Sequence, residues 1–329
     1  MTQTLTTQFA TAGAMMEFYD KQLLDNLYPN LYLYQLAEKR DLPRGSGKVI
    51  HFKRYFKAGA GSGHVIPFAF TEGTAIGLSA LSAAAISTTV AGFGSAIGIN
   101  DFVVMTVPDD TVKSSVFELS KGMALSIERN IRGVISASGT ILPAKNGPTL
   151  NSSLLGTAST IDAVDLMRAA AALRQGNARA WPDNHFAAVV HPRVGFDLRN
   201  DVTAVQAWNV VNTGTPQGVN RIWAGEIGTL YGCRVVESTE AKQLLPPTAS
   251  LYKISAGASG FVTHVVAPGA FGYVNLESAR PKVFIKQPGS AGHLDPINQK
   301  GSVGVKAYFA AVVIDAARMK RVPSGGRTL

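Results

Sequence analysis

Between Asp110 and Ser138 the apolar positions fall three and four residues apart: Val112, Val116, Leu119, Met123, Ile127, Ile131 and Val134. That spacing places them on one face of a helix. Asp109 and Asp110 stand where a cap and a favourable dipole partner belong, and Gly139 follows as a stop. At about 1.5 Å per residue the predicted helix over 110–138 is roughly 40 Å long, a spine rather than an ordinary globular helix. Elsewhere the period shortens to two. In KVIHFKRY (48–55) Ile50 and Phe52 share a strand face, and Ile86, Thr88 and Val90 alternate likewise. KVFIK (282–286) predicts another strand. In VGVKAYFAAVVID (303–315), Val303, Val305, Ala307, Phe309, Ala311 and Val313 share one face. The opposite face starts with Lys306 and Tyr308 but continues with Val312 and Ile314, which predicts burial on both sides of the far half.

The remaining segments punctuate these elements. Residues 1–40 carry scattered apolar positions, and Pro29 interrupts any helix there, so they read as an arm. Pro43, Gly45 and Gly47 open a second stretch with a turn-like GAGSGH (59–64). No charged residue occurs between Glu72 and Asp101. That run is long enough to span a bilayer, but Gly, Ala, Ser and Thr dominate it, which argues against a membrane segment. It predicts a long glycine-rich β excursion. A lone two-stranded ribbon is marginal in water, so the excursion needs another body to lie on. After a linker, PAKNGPTLNSSLLGTAS, a helix is predicted from Thr160 through IDAVDLMRAAAALRQ to Gly176. FAAVVH (186–191) is a short buried strand, and Pro192 opens a further helix, RVGFDLRN. Strand and helix then alternate to about residue 267, giving a compact middle domain and an α+β fold class.

Composition adds a little. A chain of 329 residues predicts two domains, or one with large excursions. Charged residues make up 16 %, below the usual quarter, so much of the surface is expected to be covered. The formal charge is +9, but Lys and Arg are spread out; the densest group, Arg318, Lys320 and Arg321, is no basic arm. One cysteine excludes an intrachain disulfide framework. MTQTLTTQFATAGAMM has neither the basic nor the apolar region of a signal peptide.

Catalytic signals are weak. The six histidines form no HxxxH pair, and no second cysteine completes a zinc site. GAGSG (59–63) and GFGSAIG (92–98) miss the dinucleotide spacing, and the Walker pattern is absent. GASGF (257–261) misses the nucleophile elbow. Ser250 and Lys253 form an SxxK without its supporting motifs. His191, ending a strand before proline, reads as a structural histidine. Cys233, in GEIGTLYGCRVVES (225–238), is followed by Arg234, a neighbour able to activate a thiol. A free cysteine is more often a small buried hydrophobe. No catalytic residue, cofactor or metal is expected. Aromatics do not interleave with the lysines, so a single-strand nucleic-acid groove is not supported.

The order of segments resembles the HK97-like fold of tailed-bacteriophage major capsid proteins. Within it, GKVIHFKRY, PFAFTEGTA, AAVVHPRVGFDLRN, AGEIGTLYGCRVVES and DPINQKGSVGVKAYFAAVVID resemble the N4 gp56-type family. FAFTEG (68–73) departs in part from the family's GTPLTEG-like string. The resemblance implies a shell protein and no enzyme. It implies an N-terminal arm over 1–44, an extended loop over 45–104 and a peripheral domain from 105–145 and 268–320. The axial domain would be 146–267, with a C-terminal tail at 321–329. Hexamers and pentamers of the chain would build an icosahedral head around double-stranded DNA, after synthesis in the host cytoplasm. Expected partners are other copies, a portal protein, scaffolding and decoration proteins, and DNA held non-specifically; no membrane is expected. The extended loop would supply intersubunit contacts through Arg54, Tyr55, Phe56, Phe68, Phe70, Glu72 and Phe93. Two alternatives share parts of this pattern: an encapsulin-like nanocompartment shell, and an α/β enzyme using Cys233 or His191.

Overall fold

A computed structural model describes residues 31–55, 72–73, 83–106, 110–144, 154–155, 159–200, 226–244, 253–254, 259–277, 280–288 and 295–326. Among them are two main sheets and the expected long helix.

The first sheet has five strands, built on one long member, β15 (Lys300–Val313). β13 (Phe271–Leu276) and β14 (Lys282–Lys286) follow each other antiparallel along one edge of it. β1 (Glu38–Leu42) adds to β13 in parallel. β4 (Ala91–Asn100) pairs antiparallel with β15 from Asn100 opposite Lys300 to Ala91 opposite Phe309. Because β4 and β14 both pair residues 302–306 of β15, they lie on opposite edges. Alternation fixes the faces: Val303, Val305, Ala307 and Phe309 are buried, with Phe93, Ile97 and Ile99 of β4 packed beside them. On the other face Ala310 and Val312 are buried too, while Ala311, Val313 and Ile314 are half-buried, so the double burial predicted for the far half holds in part.

The spine helix, Thr111–Ala137, lies on that buried face; with α1 (Tyr32–Leu36) and α2 (Asp101–Thr106) before it, it is α3. The Asp110 carboxylate accepts from the Lys113 amide at 3.0 Å, the expected cap. Val116, Leu119, Met123, Ile127 and Ile131 are buried, but the stripe ends on Ile135; Val134 is half-buried. Four residues after Ile131 returns to the same face more closely than three, because a helix turns every 3.6 residues. Gly139 has φ +95°, which lets the chain leave the helix sharply.

The second sheet runs β5 (Thr140–Ile141), β16 (Met319–Gly326), β12 (Ser259–Val266), β7 (Phe186–Val190), β9 (Cys233–Glu237), β8 (Glu226–Leu230), with β10 (Lys242–Leu244) also on β12. α4 (Ala163–Gln175) and α5 (Pro192–Asn200) contribute Leu166, Leu173, Val194 and Leu198 to its core. α4 begins later than expected. Asp162 and Asp165 form a reciprocal capping box, so the helix starts at Ala163 and not at Thr160. Two small sheets complete the list: β2 (Val49–Tyr55) with β3 (Ala83–Thr89), and β6 (Leu154–Leu155) with β11 (Lys253–Ile254).

The expected tail at 321–329 is corrected. Through Gly326 it belongs to β16, which pairs with the whole of β12 and, at Lys320 and Arg321, with β5. Besides the route from β4 through the spine helix to β5, the chain crosses directly between the sheets at Ala267–Ala270 and again at Ile314–Arg318. The two crossings run side by side. The Ala267 amide donates to the Arg318 carbonyl, and the Ile314 and Asp315 amides donate to the Ala270 carbonyl, all at 2.9 Å.

Candidate functional site

Neither candidate nucleophile is placed for chemistry. Cys233 is fully buried, with Sγ 3.7 Å from the Leu166 carbonyl oxygen. Burial pushes its thiol up to about 12, against a smaller pull from Arg174. Arg234 sits on the other strand face and pairs with Asp183 at 2.9 Å. The opening of this stretch is itself a strand: β8 turns into β9 through Tyr231 and Gly232, both at positive φ. His191 stacks on Phe261, ring centres 4.4 Å apart, and its Nδ1 accepts from the Arg193 amide at 3.2 Å. Burial, and then Arg193, hold its pKa below the usual value. Among the described residues no group of His, Cys, Asp and Glu is disposed to hold a metal. No described helix is long and apolar enough to cross a membrane.

The distinctive geometry lies at the foot of the β2–β3 hairpin. Its inner face, with Ile50, Phe52, Ile86 and Thr88, packs against the first sheet beside Leu42, Val274, Val312 and Ile314. Phe52 is 2 % exposed. A Cβ on Gly272 of β13 would meet the Phe52 ring at 3.2 Å and Ile314 Cδ1 at 3.1 Å, so the bare backbone there is what admits the ring. Arg40 lies over the Phe52 ring from β1 at 4.9 Å. Arg54 pairs with Asp315 at 3.0 Å, and Thr88 Oγ1 donates to the Ala311 carbonyl at 3.4 Å. The outer face, with His51, Lys53 and Tyr55 opposite Ala83, Ala85 and Ser87, is exposed.

The expected contact residues divide. Tyr55 is exposed at the described end of the hairpin, and Glu72 is exposed in a turn. Arg54 is engaged within the chain by Asp315. Phe93 is turned inward, stacked on Phe309 at 4.2 Å, because odd positions of β4 face the spine helix. Phe56, Phe68 and Phe70 lie outside the described residues.

Two surfaces escaped the sequence reading. The first is the outer face of the sheet, where Gly92, Gly94 and Ala96 of β4 and Gly304 of β15 floor an open trough of about 580 Å³ between Tyr308 and Phe284. The second is α2, where Phe102, Val103, Val104 and Met105 are all exposed. The unbroken apolar run FVVM, without helical period, was the available signal.

The family model for "Phage capsid protein" matches residues 67–322. No curated protein matches the chain. Among solved structures, the capsid of cyanophage P-SCSP1u is 16 % identical, covering 89 % of this chain and 87 % of that one, with a TM-score of 0.60. The capsid of Ralstonia phage GP4 is 10 % identical, covering 92 % and 93 %, TM-score 0.65. A virus-like particle from Pyrococcus furiosus is 11 % identical, covering 94 % and 99 %, TM-score 0.52. With its hairpin, spine helix and two interlaced sheets, the chain belongs to the phage capsid protein family, as a major capsid protein of HK97-like fold.

Proposed function

We propose that copies of this chain assemble as hexamers and pentamers into an icosahedral head around double-stranded DNA, within the N4 gp56-type branch of the family. The observation that carries this is the β2–β3 hairpin. It is a separate two-stranded sheet, fastened at its foot by Phe52 and exposed on its outer face. A ribbon of that kind is marginal in water and becomes stable when a neighbouring copy covers it. Of the expected loop over 45–104, β4 stays in its own sheet; one copy gives the part between Tyr55 and Ala83 and the hairpin's outer face and receives another's, so head-to-tail contacts close into rings. The glycine-floored trough is a smooth receiving surface for it. Segments 1–44, 105–145 with 268–320, and 146–267 then serve as arm, peripheral and axial parts, the last joined by β16.

The role is structural and not enzymatic, in keeping with the buried thiol. Assembly takes place in the bacterial cytoplasm, with a portal protein and with scaffolding or decoration proteins. The formal charge of +9 favours sequence-independent attraction to packaged phosphate. Electron microscopy of the purified protein tests the reading. Closed uniform shells are expected, and a stable monomer at high concentration overturns it. A second reading, a nanocompartment shell, draws on the likeness to the Pyrococcus furiosus particle. Genome-length DNA inside particles from infected cells favours the first; a protein cargo favours the second.

A further inference from the structure

The spine helix carries two carboxylates, and they differ: Glu118 is exposed, while Glu128 is 1 % exposed. Glu128 Oε1 accepts from the Leu33 amide of α1 at 2.8 Å. Its Oε2 is buried too and has no hydrogen-bond partner among the described residues. α1 has little else to hold its start. It is five residues long, and its cap residue, Leu31, makes no side-chain bond to it. So short a helix has no stability of its own. Glu128 holds it, together with Leu31, Leu33 and Leu36, which are buried in the core built on the spine helix. Residues 1–30 join the body at Leu31, so the seating of α1 fixes where that N-terminal segment departs.

The charges around Glu128 are already engaged. α1, YLYQL, has none; beyond it Lys39 lies over the Tyr34 ring at 4.2 Å, and that ring meets Tyr273 of β13 edge-on. On the spine helix, Lys121 pairs with Glu118 at 3.9 Å. Arg129 and Arg132 grip Glu240, in the turn after β9, at 2.9 and 3.1 Å. Glu237, the last residue of β9, faces Arg199 at 3.8 Å. Beyond Arg132 lie His264, Lys242 and Arg321. As an anion, seated Glu128 is out of water with one oxygen unpaired, which is costly. As a neutral acid it still accepts the Leu33 amide through its carbonyl oxygen. When α1 lifts, the carboxyl meets water and gives the proton up. We propose that the Glu128–α1 contact is a proton-operated latch on the N-terminal segment: α1 seats with uptake of one proton and loosens when that proton leaves. Acid closes the latch and alkali opens it. Loss of water raises the carboxyl to about 7 from an ordinary 4.5, against the pull of the Leu33 and Tyr34 amides. Between those two values the seated form holds a proton that the lifted form lacks, which sets the window in which the latch responds.

Hydrogen exchange on the full chain tests this, read by mass spectrometry from pH 5 to 8 and corrected for the intrinsic exchange rate at each pH. Residues 31–37 are compared with 123–135 of the spine helix. Opening of 31–37 is expected to rise about tenfold per pH unit toward pH 7 and to level off above it. It should exceed the opening of 123–135 throughout. Glu128→Gln keeps the acceptor and cannot titrate, so it should remove the rise. Three results each overturn the proposal: no rise in the wild type, 31–37 opening only as often as 123–135, or the same rise in Glu128→Gln. If that variant does not fold, the two wild-type comparisons decide by themselves.

Discussion

The carboxylate of Glu128, in the middle of the spine helix, accepts a hydrogen bond from the Leu33 amide at 2.8 Å, ninety-five residues away in sequence. Leu33 belongs to the first turn of α1, so the spine helix supplies the cap that α1 does not make for itself. Burial pushes Glu128 up to about 7, with Glu240 adding to it and the amides of Leu33 and Tyr34 and the Arg132 charge opposing. His264, buried 3.3 Å from Ser136 Oγ, moves the other way, down to about 3, through burial and then Arg321, Arg132 and Lys242. The signs follow from linkage. Between pH 4.5 and 7 folded Glu128 holds a proton the unfolded chain has lost, so its contribution falls as pH rises. Between pH 3 and 6.5 the unfolded chain holds a proton that folded His264 lacks, so its contribution falls as pH falls. Each slope is about 1.4 kcal/mol per pH unit, and the two oppose where they overlap. Relative to wild type, Glu128→Gln should make stability rise more steeply with pH from 4.5 to 6.5, and His264→Asn should make it fall. Urea midpoints across that range check both; parallel curves for all three proteins refute the pairing.

The seat of the hairpin depends on one ring and one missing side chain. Phe52→Ala should cost about 3–5 kcal/mol, as for other buried aromatic truncations. Gly272→Val should cost about 1–3 kcal/mol by overpacking against the same ring. Together they should lose less than the sum, because each unseats the same contact. Equilibrium denaturation measures this, and full additivity would place the two residues in separate contacts.

Removing the far part of the hairpin separates folding from assembly. Tyr55 is paired with Ala83, so replacing 56–82 by Asn-Gly keeps the described hairpin and all of β4. That protein should be soluble, with near-native melting, and fail to form shells. Native-size shells in electron micrographs would remove the loop from the assembly contact. A longer deletion reaching Ser95 is a poor test, because it takes strand residues that pair with β15.

Cys233 should behave as a core atom. Below pH 9 the native protein should resist Ellman's reagent, and one thiol per chain should appear in guanidine. Cys233→Ala should assemble as wild type does. Rapid labelling of the folded chain, or a hydrolytic activity abolished by Cys233→Ala, would reopen the enzyme reading.

What was legible in the residues was whatever repeats. The spine helix, β15 and the inward positions of the hairpin announce themselves by period, because burial on one face imposes it. β16 did not: from Arg321 on, RVPSGG reads as a tail because proline and two glycines are poor strand formers. Pro323 is tolerated past the two residues that pair with β5, so its missing amide interrupts no bond to that strand. The β8–β9 turn lacks the Asn-Gly that marks such hairpins; Tyr231 takes the left-handed position instead. Phe93 and Phe52 look alike in sequence, yet one packs under β4 and the other under the hairpin. Only the register of β4 on β15 tells them apart.

The paired crossings have a mechanical consequence. Two backbones, hydrogen-bonded to each other between Ala267 and Arg318 and between Ala270 and Asp315, connect the sheets. Such a strap is stiff when the sheets are pulled apart, because covalent chain carries the tension in both strands. A wall made of these subunits can therefore carry outward pressure along the strap as tension in two lengths of chain at once.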